Sequence, residues 1–289
     1  MTRTGLSRVQ QPEAADREAI LALADEAAAV DGTSPLNESA ALIVAGERPG
    51  DFHLSHEDGL LTGFTVADPR ERTVVAAVRP SHRRRGIGSR LLAAALEAHP
   101  GHSVWAFGTL PAAAALAEHL GLAPVRGLLK LGRRLGDEAV GPVPEGYTIR
   151  PFAGEDAAAV VAVNAAAFAH HPEQGKLTLD EFRALTLQDW FSADGLFVAH
   201  HGPEVAGFHW TKRHDAETGE VYVLAVHPEH DGQGLGRVLL ETGLAHLAEI
   251  GCTQVVLYVE EDQERVVRLY NSANFNQVNL DTSYARKDG

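Results

Sequence analysis

Residues 219–236, GEVYVLAVHPEHDGQGLG, constrain this chain more than any other stretch. Val221 to Val226 is an apolar, β-branched run with the length of a buried strand. Pro228 ends it, because proline cannot donate to a sheet ladder. Gly232, Gly234 and Gly236 stud the turn that follows. Val238, Leu239, Leu240, Leu244 and Leu247 then recur at helical spacing. A strand, a glycine loop and a helix in this order make an anion-binding device. The glycines allow close backbone approach, and the unpaired N–H groups of the first helical turn point at one place. The expected ligand carries phosphate.

The device occurs twice. At an offset of 148 residues, Ala77, Val78, Pro80, His82, Gly86, Gly88, Leu91, Leu92 and Leu96 match Ala225, Val226, Pro228, His230, Gly234, Gly236, Leu239, Leu240 and Leu244. The matches fall on glycines and core leucines, which points to an internal duplication of one fold. Two copies of this spacing are domain-sized, which excludes a solenoid. A chain of 289 residues suits two such domains.

Formal charge is −14, so bulk attraction to nucleic acid is not expected. Arg83, Arg84 and Arg85 sit in the glycine frame of the first copy and read as part of a phosphate loop. Cys252 is the only cysteine, so no intramolecular disulfide can form. No 18-residue apolar run exists, and the first residues have no apolar core of a signal peptide. The expectation is a soluble cytoplasmic monomer with no membrane partner. The His170-His171 and His200-His201 pairs lack the i, i+4 spacing of a helical zinc site, so no metal is expected.

Along the chain, helices are expected over 12–30 and Ser39 to Ala45. Phe52 to Ser55 and Leu60 to Ala67 form an antiparallel pair around Glu57-Asp58-Gly59. After the first glycine loop and its helix come a strand over Val104 to Gly108, a helix over Pro111 to His119 and a closing strand over Leu128 to Arg133. Asp137 to Gly146, with two prolines and two glycines, is the expected linker. It separates an N-terminal domain, 1–140, from a C-terminal domain, 141–289. The second copy repeats the order: Tyr147 to Pro151, helices over Asp156 to Phe168 and Leu179 to Leu187, a hairpin over 196–212, the central device, then strand, helix and strand to Arg286.

This order, with Arg-x-x-Gly-x-Gly opening a helix after a strand, resembles the GCN5-related N-acetyltransferases (GNAT) over nearly the whole chain, in tandem. The implied fold class is α/β, a mixed and mostly antiparallel sheet in each domain around the strand–glycine loop–helix device. Four ordered blocks narrow the likeness: Phe168-Ala169-His170-His171-Pro172-Glu173-Gln174-Gly175, Gly207-Phe208-His209-Trp210-Thr211-Lys212, Gly219-Glu220-Val221-Tyr222-Val223 and Leu257-Tyr258-Val259-Glu260. They are similar to the mycothiol synthase family, tandem enzymes that use acetyl-CoA to acetylate the cysteinyl amine of cysteinyl-glucosaminyl-inositol.

The resemblance implies acetyl-CoA as co-substrate and a working site in the C-terminal half. It implies that Leu224, Ala225 and Val226 hold the pantetheine. The loop Asp231, Gly232, Gln233, Gly234, Leu235, Gly236 and Arg237 would take the pyrophosphate. Gln263, Glu264, Arg265, Val266, Val267 and Arg268 would flank the cofactor. Glu38, Glu173, Lys212, Glu220 and Tyr258 match positions that hold the amine. In the N-terminal half, Ala76, Ala77 and Val78 with Arg84, Arg85, Gly86, Ile87, Gly88 and Ser89 match a second acetyl-CoA site.

The chemistry needs a neutral amine, a polarised thioester and a protonated leaving thiolate. An α-amino group has a pKa near 8, so about a tenth is already neutral at pH 7. Glu220, at the mouth of the central strand, is the expected base, and the resemblance implies Tyr270, on the helix after Tyr258-Val259-Glu260, as the acid. Aligning Leu116-Ala117 with Leu269-Tyr270 puts Ala117 where the acid would sit, so the N-terminal copy is expected to bind acetyl-CoA without turnover. Asp231 stands where the superfamily usually has Arg or Gln, an unfavourable charge beside a pyrophosphate unless it turns outward or caps the helix. Two other functions stay open: acetylation of a different amine, such as an aminoglycoside or a protein N-terminus, and a non-catalytic acyl-CoA-binding module.

Overall fold

The structure, a computed structural model, describes residues 4–169 and 174–286. Glu173 and the His170-His171 pair therefore lie outside the described residues. The chain forms two compact units. The first holds residues 1–129, 260–262 and 279–289, and the second holds 130–259 and 263–278.

The first unit begins with β1 (Thr4–Val9), followed by α1 (Ala14–Asp31) and α2 (Glu38–Ala45). Then come β2 (Asp51–Glu57), β3 (Leu60–Asp68), β4 (Thr73–Val78), α3 (Ile87–Ala98), β5 (Ser103–Ala106) and α4 (Pro111–His119). β6 (Leu122–Arg134) carries the chain on into the second unit. That unit contains β7 (Tyr147–Pro151), α5 (Ala157–Ala167), α6 (Leu179–Leu185), β8 (Leu196–His201), β9 (Glu204–Arg213), β10 (Thr218–Val226), α7 (Leu235–Glu249), β11 (Gln254–Glu260) and α8 (Glu264–Ser272). The last strand is β12 (Asn276–Arg286).

In each unit four strands run antiparallel in sequence order and the fifth is parallel: β1-β2-β3-β4 with β5, and β7-β8-β9-β10 with β11. The central strands β4 and β10 sit at matching places. Side chains alternate across each sheet. In the first unit Val75 and Ala77 pack with Ile20, Leu23 and Ile43 of α1 and α2. Val74 packs with Leu92, Ala95 and Leu96 of α3. In the second unit Val160, Val163 and Phe182 of α5 and α6 cover one set of strand residues, and Leu235, Val238 and Leu239 of α7 cover another.

Two glycines explain how closely each loop-following helix approaches. A Cβ on Gly207 would lie 2.8 Å from the Ala225 carbonyl oxygen and 3.1 Å from Leu239. One on Gly63 would lie 3.0 Å from the Ala77 carbonyl oxygen and 2.8 Å from Leu91. These are the same contacts in the two copies, because Gly63 pairs with Val78 and Gly207 with Val226.

Three local expectations change. The strand expected to reach Gly108 stops at Ala106, where a 3₁₀ turn over Phe107–Thr109 begins. Gly108 has φ 71°, which breaks the extended run. The closing strand starts at Leu122 rather than Leu128. The third change concerns the last strands. A single cut at the linker, 1–140 and 141–289, does not describe the compact units: β6 ends in the second unit, and β12 runs from the second into the first. There Thr282, Ser283 and Tyr284 pair antiparallel with Ala106, Trp105 and Val104 of β5.

Candidate active site

The second unit carries an irregularity on its central strand that the first lacks. β10 pairs with β9 as Glu220↔Lys212 and Val221↔Thr211, then shifts so that Val223↔Trp210, leaving Tyr222 as the extra residue of a β-bulge. β4 pairs with β3 from Thr73 to Val78 without any shift. On its other side β10 meets β11 only over Thr218↔Gln254, Gly219↔Val255 and Glu220↔Val256. Beyond Glu220 the two parallel strands part. The β11-facing backbone of 221–226 is therefore not used in that ladder. This opening runs from Glu220 toward the glycine loop.

The loop has the backbone its glycines require. Gly232 and Gly234 have φ 77° and 83°, and Gly234 is the N-cap of α7. In the first copy Gly86 has φ 74° at the N-cap of α3, but the residue matching Gly232 is Arg84, held at φ 63°. The first turn of each helix presents N–H groups to whatever lies before it.

Asp231 does not point idly into this loop. Its Oδ1 accepts the Gly232 N–H at 2.8 Å, and its Oδ2 lies 2.8 Å from the Arg265 guanidinium. The carboxylate thus occupies a loop amide and is neutralised by the first turn of α8. Gln233 is held by the Tyr147 hydroxyl, which donates to its Oε1 at 3.1 Å. Arg237 pairs with Glu241 one helical turn on. Arg268 pairs with Glu264 in the same way.

Glu220 is 7% exposed, so its carboxylate is buried at the end of the β9–β10 hairpin. Its Oε2 lies 2.6 Å from Nε2 of His214. Lys212, its neighbour across the ladder, lies over two aromatic rings, 4.4 Å from the Trp190 centroid and 5.1 Å from that of Tyr222. Tyr258 follows two residues after Val256 on β11 and is 42% exposed, with the Lys130 ammonium 5.6 Å from its ring centre. Tyr270 is buried on α8, edge-on to Phe275. Burial alone pushes its phenol well above the usual range. Among the described residues nothing hydrogen-bonds its hydroxyl.

The order of elements and both glycine loops match known families. The sequence profile described as "Acetyltransferase (GNAT) family" matches residues 165–275, and that of "Acetyltransferase (GNAT) domain" matches 48–121. A mycothiol acetyltransferase of Thermobispora bispora is 43% identical over 94% of this chain and 96% of its own length. One from Thermomonospora curvata is 44% identical over 92% of each chain. The chain belongs to the mycothiol acetyltransferase family. As a GNAT family member it is an acetyl-CoA-dependent N-acetyltransferase. Among solved structures, a GCN5-related N-acetyltransferase from Sphaerobacter thermophilus superimposes with TM-score 0.73 at 20% identity, covering 96% of this chain and 94% of that one. A tandem GNAT protein from the clavulanic acid biosynthesis pathway gives 0.72 at 19%, covering 97% and 98%. Both show the fold.

In this mycothiol acetyltransferase family member, the structure brings Glu220, Lys212 and the bulge together on adjacent strands. It also joins the loop to α8 through Asp231 and Arg265. Glu38 is the first residue of α2 in the first unit. Sequence reasoning missed His214 and Trp190. His214 carried a signal only in hindsight, as a titratable residue in the hairpin turn before Glu220. Trp190 follows α6 and carried none. Cys252 is buried, and burial pushes its thiol up, so it takes no part. No group of three metal-binding side chains occurs among the described residues, and none of their helices is long and apolar enough to cross a membrane.

The N-terminal loop opens onto a cavity of about 700 Å³ lined by Ala77, Val78, Arg84, Gly86, Ala117 and Tyr284 among others. Arg83 is committed to a bidentate pair with Asp31 at 2.6 and 2.7 Å. Arg85 lies 3.6 Å from Glu57. Arg84 alone of the three makes no ion pair among the described residues.

Proposed function

We propose that the enzyme transfers the acetyl group of acetyl-CoA to the cysteinyl amine of cysteinyl-glucosaminyl-inositol, giving mycothiol and CoA, and that the C-terminal copy does the work. The observation that carries this reading is the bulged β10 parting from β11 directly after the buried Glu220. The backbone of Leu224, Ala225 and Val226 is unpaired by β11 along that opening and offers donors and acceptors to a pantetheine amide. The N–H groups at the start of α7 suit a pyrophosphate. Residues 263–268 flank it through Arg265.

Glu220 takes the proton of the attacking amine, and the thioester carbonyl carbon gains the C–N bond as the C–S bond breaks. Tyr270 gives its phenolic proton to the departing thiolate. Burial raises the phenol, and a thiolate leaving into the same surroundings is destabilised by the same desolvation, so donor and acceptor stay matched. Lys212, held by Trp190 and Tyr222, has ammonium hydrogens for sugar hydroxyls, with Tyr258 as a further contact. The N-terminal copy binds acetyl-CoA without turning it over: it has Arg84 for the phosphates, but its central strand is regular and Ala117 lines its cavity. The reading takes the enzyme as a monomer. Its need for acetyl-CoA and its single buried thiol suit the cytoplasm.

The test follows thiol release with purified protein, acetyl-CoA and the cysteinyl amine. Glu220→Gln and Tyr270→Phe are each expected to lower kcat by about 10²–10⁴-fold. A wild-type rate in either variant removes that residue from the mechanism. Release with an aminoglycoside or a peptide amine but not with the cysteinyl amine would overturn the substrate.

A further inference from the structure

We propose that His214 is a positioning residue for the reaction: its Nε2–H fixes the Glu220 carboxylate so that the second oxygen faces the amine. This rests on Glu220 being the base.

The geometry is built by the β9–β10 turn. The His214 N–H bonds the Thr218 carbonyl at 2.9 Å and closes the hairpin. Asp215 accepts the N–H groups of Glu217 and Thr218 at 2.8 and 2.7 Å, which also hold its carboxyl below the usual carboxylate range. Arg213 bonds the carbonyls of Asp215 and Ala216 at 2.9 and 3.1 Å. Every residue of the turn is thereby engaged, and its rigid form returns the imidazole onto Glu220, six residues ahead in sequence. The carboxylate is buried, whereas the imidazole is 39% exposed. The imidazole therefore reaches solvent while the carboxylate it holds does not.

A buried carboxylate needs a hydrogen-bond donor to stay ionised. A neutral imidazole supplies one and leaves Oε1 as the acceptor for the amine proton. Lys212 is the cross-strand partner of Glu220, and Arg213, Asp215 and Glu217 are the charged residues in and beside the turn that carries His214. On β11 the residue opposite Glu220 is Val256, which is apolar.

The experiment measures kcat against pH for wild type, His214→Gln, His214→Ala and Glu220→Gln with saturating acetyl-CoA and cysteinyl amine. The quantity read is kcat, because the substrate amine itself titrates in kcat/KM. His214→Ala is expected to lose about 10–100-fold in kcat with both KM values nearly unchanged. His214→Gln retains a donor and is expected to stay within a few-fold of wild type above neutrality. The proposal is overturned if His214→Ala matches wild type, or if His214→Gln falls as far as His214→Ala. A wild-type rate in Glu220→Gln overturns the base itself. A slow Glu220→Gln beside an unaffected His214→Ala overturns only the role of His214.

Discussion

His209 provides a measurable link between acidity and the integrity of the site. Its side chain is fully buried on β9, and its Nδ1–H donates to the Leu239 carbonyl of α7 at 2.7 Å. Nε2 has no partner among the described residues. Protonating Nε2 would create a donor in apolar surroundings, and burial accordingly lowers the pKa to about 4, with the Leu239 bond opposing and His246 assisting. The unfolded chain has an ordinary histidine and binds the proton first as pH falls. The stability His209 contributes is thus fully present above about pH 6.5 and is lost as pH falls toward about 4. Between pH 7 and pH 5 the loss is about 2 kcal/mol, since each pH unit between the two pKa values changes the folding free energy by about 1.4 kcal/mol. His209→Gln keeps a donor for Leu239 but cannot titrate. Urea unfolding followed by tryptophan fluorescence in a Trp105→Phe background would report on the second unit, through Trp190 and the buried Trp210. The variant should lose about 2 kcal/mol less than its parent between pH 7 and pH 5. Equal losses in the two proteins would refute the assignment of a buried neutral imidazole. The bond matters for the candidate site because it anchors α7, whose first turn follows the glycine loop.

Three more outcomes are expected. Gly243→Ala would set a Cβ 2.2 Å from Nδ1 of the same buried His209 ring, so overpacking should cost about 1–3 kcal/mol, read as a lower midpoint in urea. Asp231→Asn releases Arg265 and removes a negative charge from the loop; because the pair is exposed, acetyl-CoA should bind only about 2–5-fold more tightly by titration, with kcat unchanged. Trp190→Leu removes the face 4.4 Å from the Lys212 ammonium, so KM for the amine should rise about 3–30-fold while KM for acetyl-CoA stays put.

Much of the site was legible because its backbone is unusual in ways only certain residues permit. Gly232 and Gly234 sit at positive φ, and Gly207 lets α7 reach the sheet, so glycine spacing alone located the loop and its helix. The apolar alternation of Val74, Val75 and Ala77 between two cores marked the central strand in the same way. β1 escaped notice because it is a mostly exposed strand: Leu6 is exposed and only Val9 packs on the core. The bulge at Tyr222 was invisible, since a register shift depends on the partner strand and not on β10 itself. The Glu220–His214 bond needed the turn conformation set by Asp215 and Arg213. The pairing of Asp231 with Arg265, 34 residues away, could not be read from the loop itself.

The sequence by itself determined the duplication, the position of both glycine loops and the order of the central elements in each copy, because these depend on local backbone freedom and on hydrophobic period. Only the tertiary structure decided which strands complete which unit. β6 and β12 each have strand composition, but alternation tells a strand which face to bury, not which neighbour to take. Thr282, Ser283 and Tyr284 complete the first unit by pairing with β5, although the chain reaches them last. Tyr284 thereby lines the N-terminal cavity, a placement set by long-range backbone hydrogen bonding that no local pattern encodes.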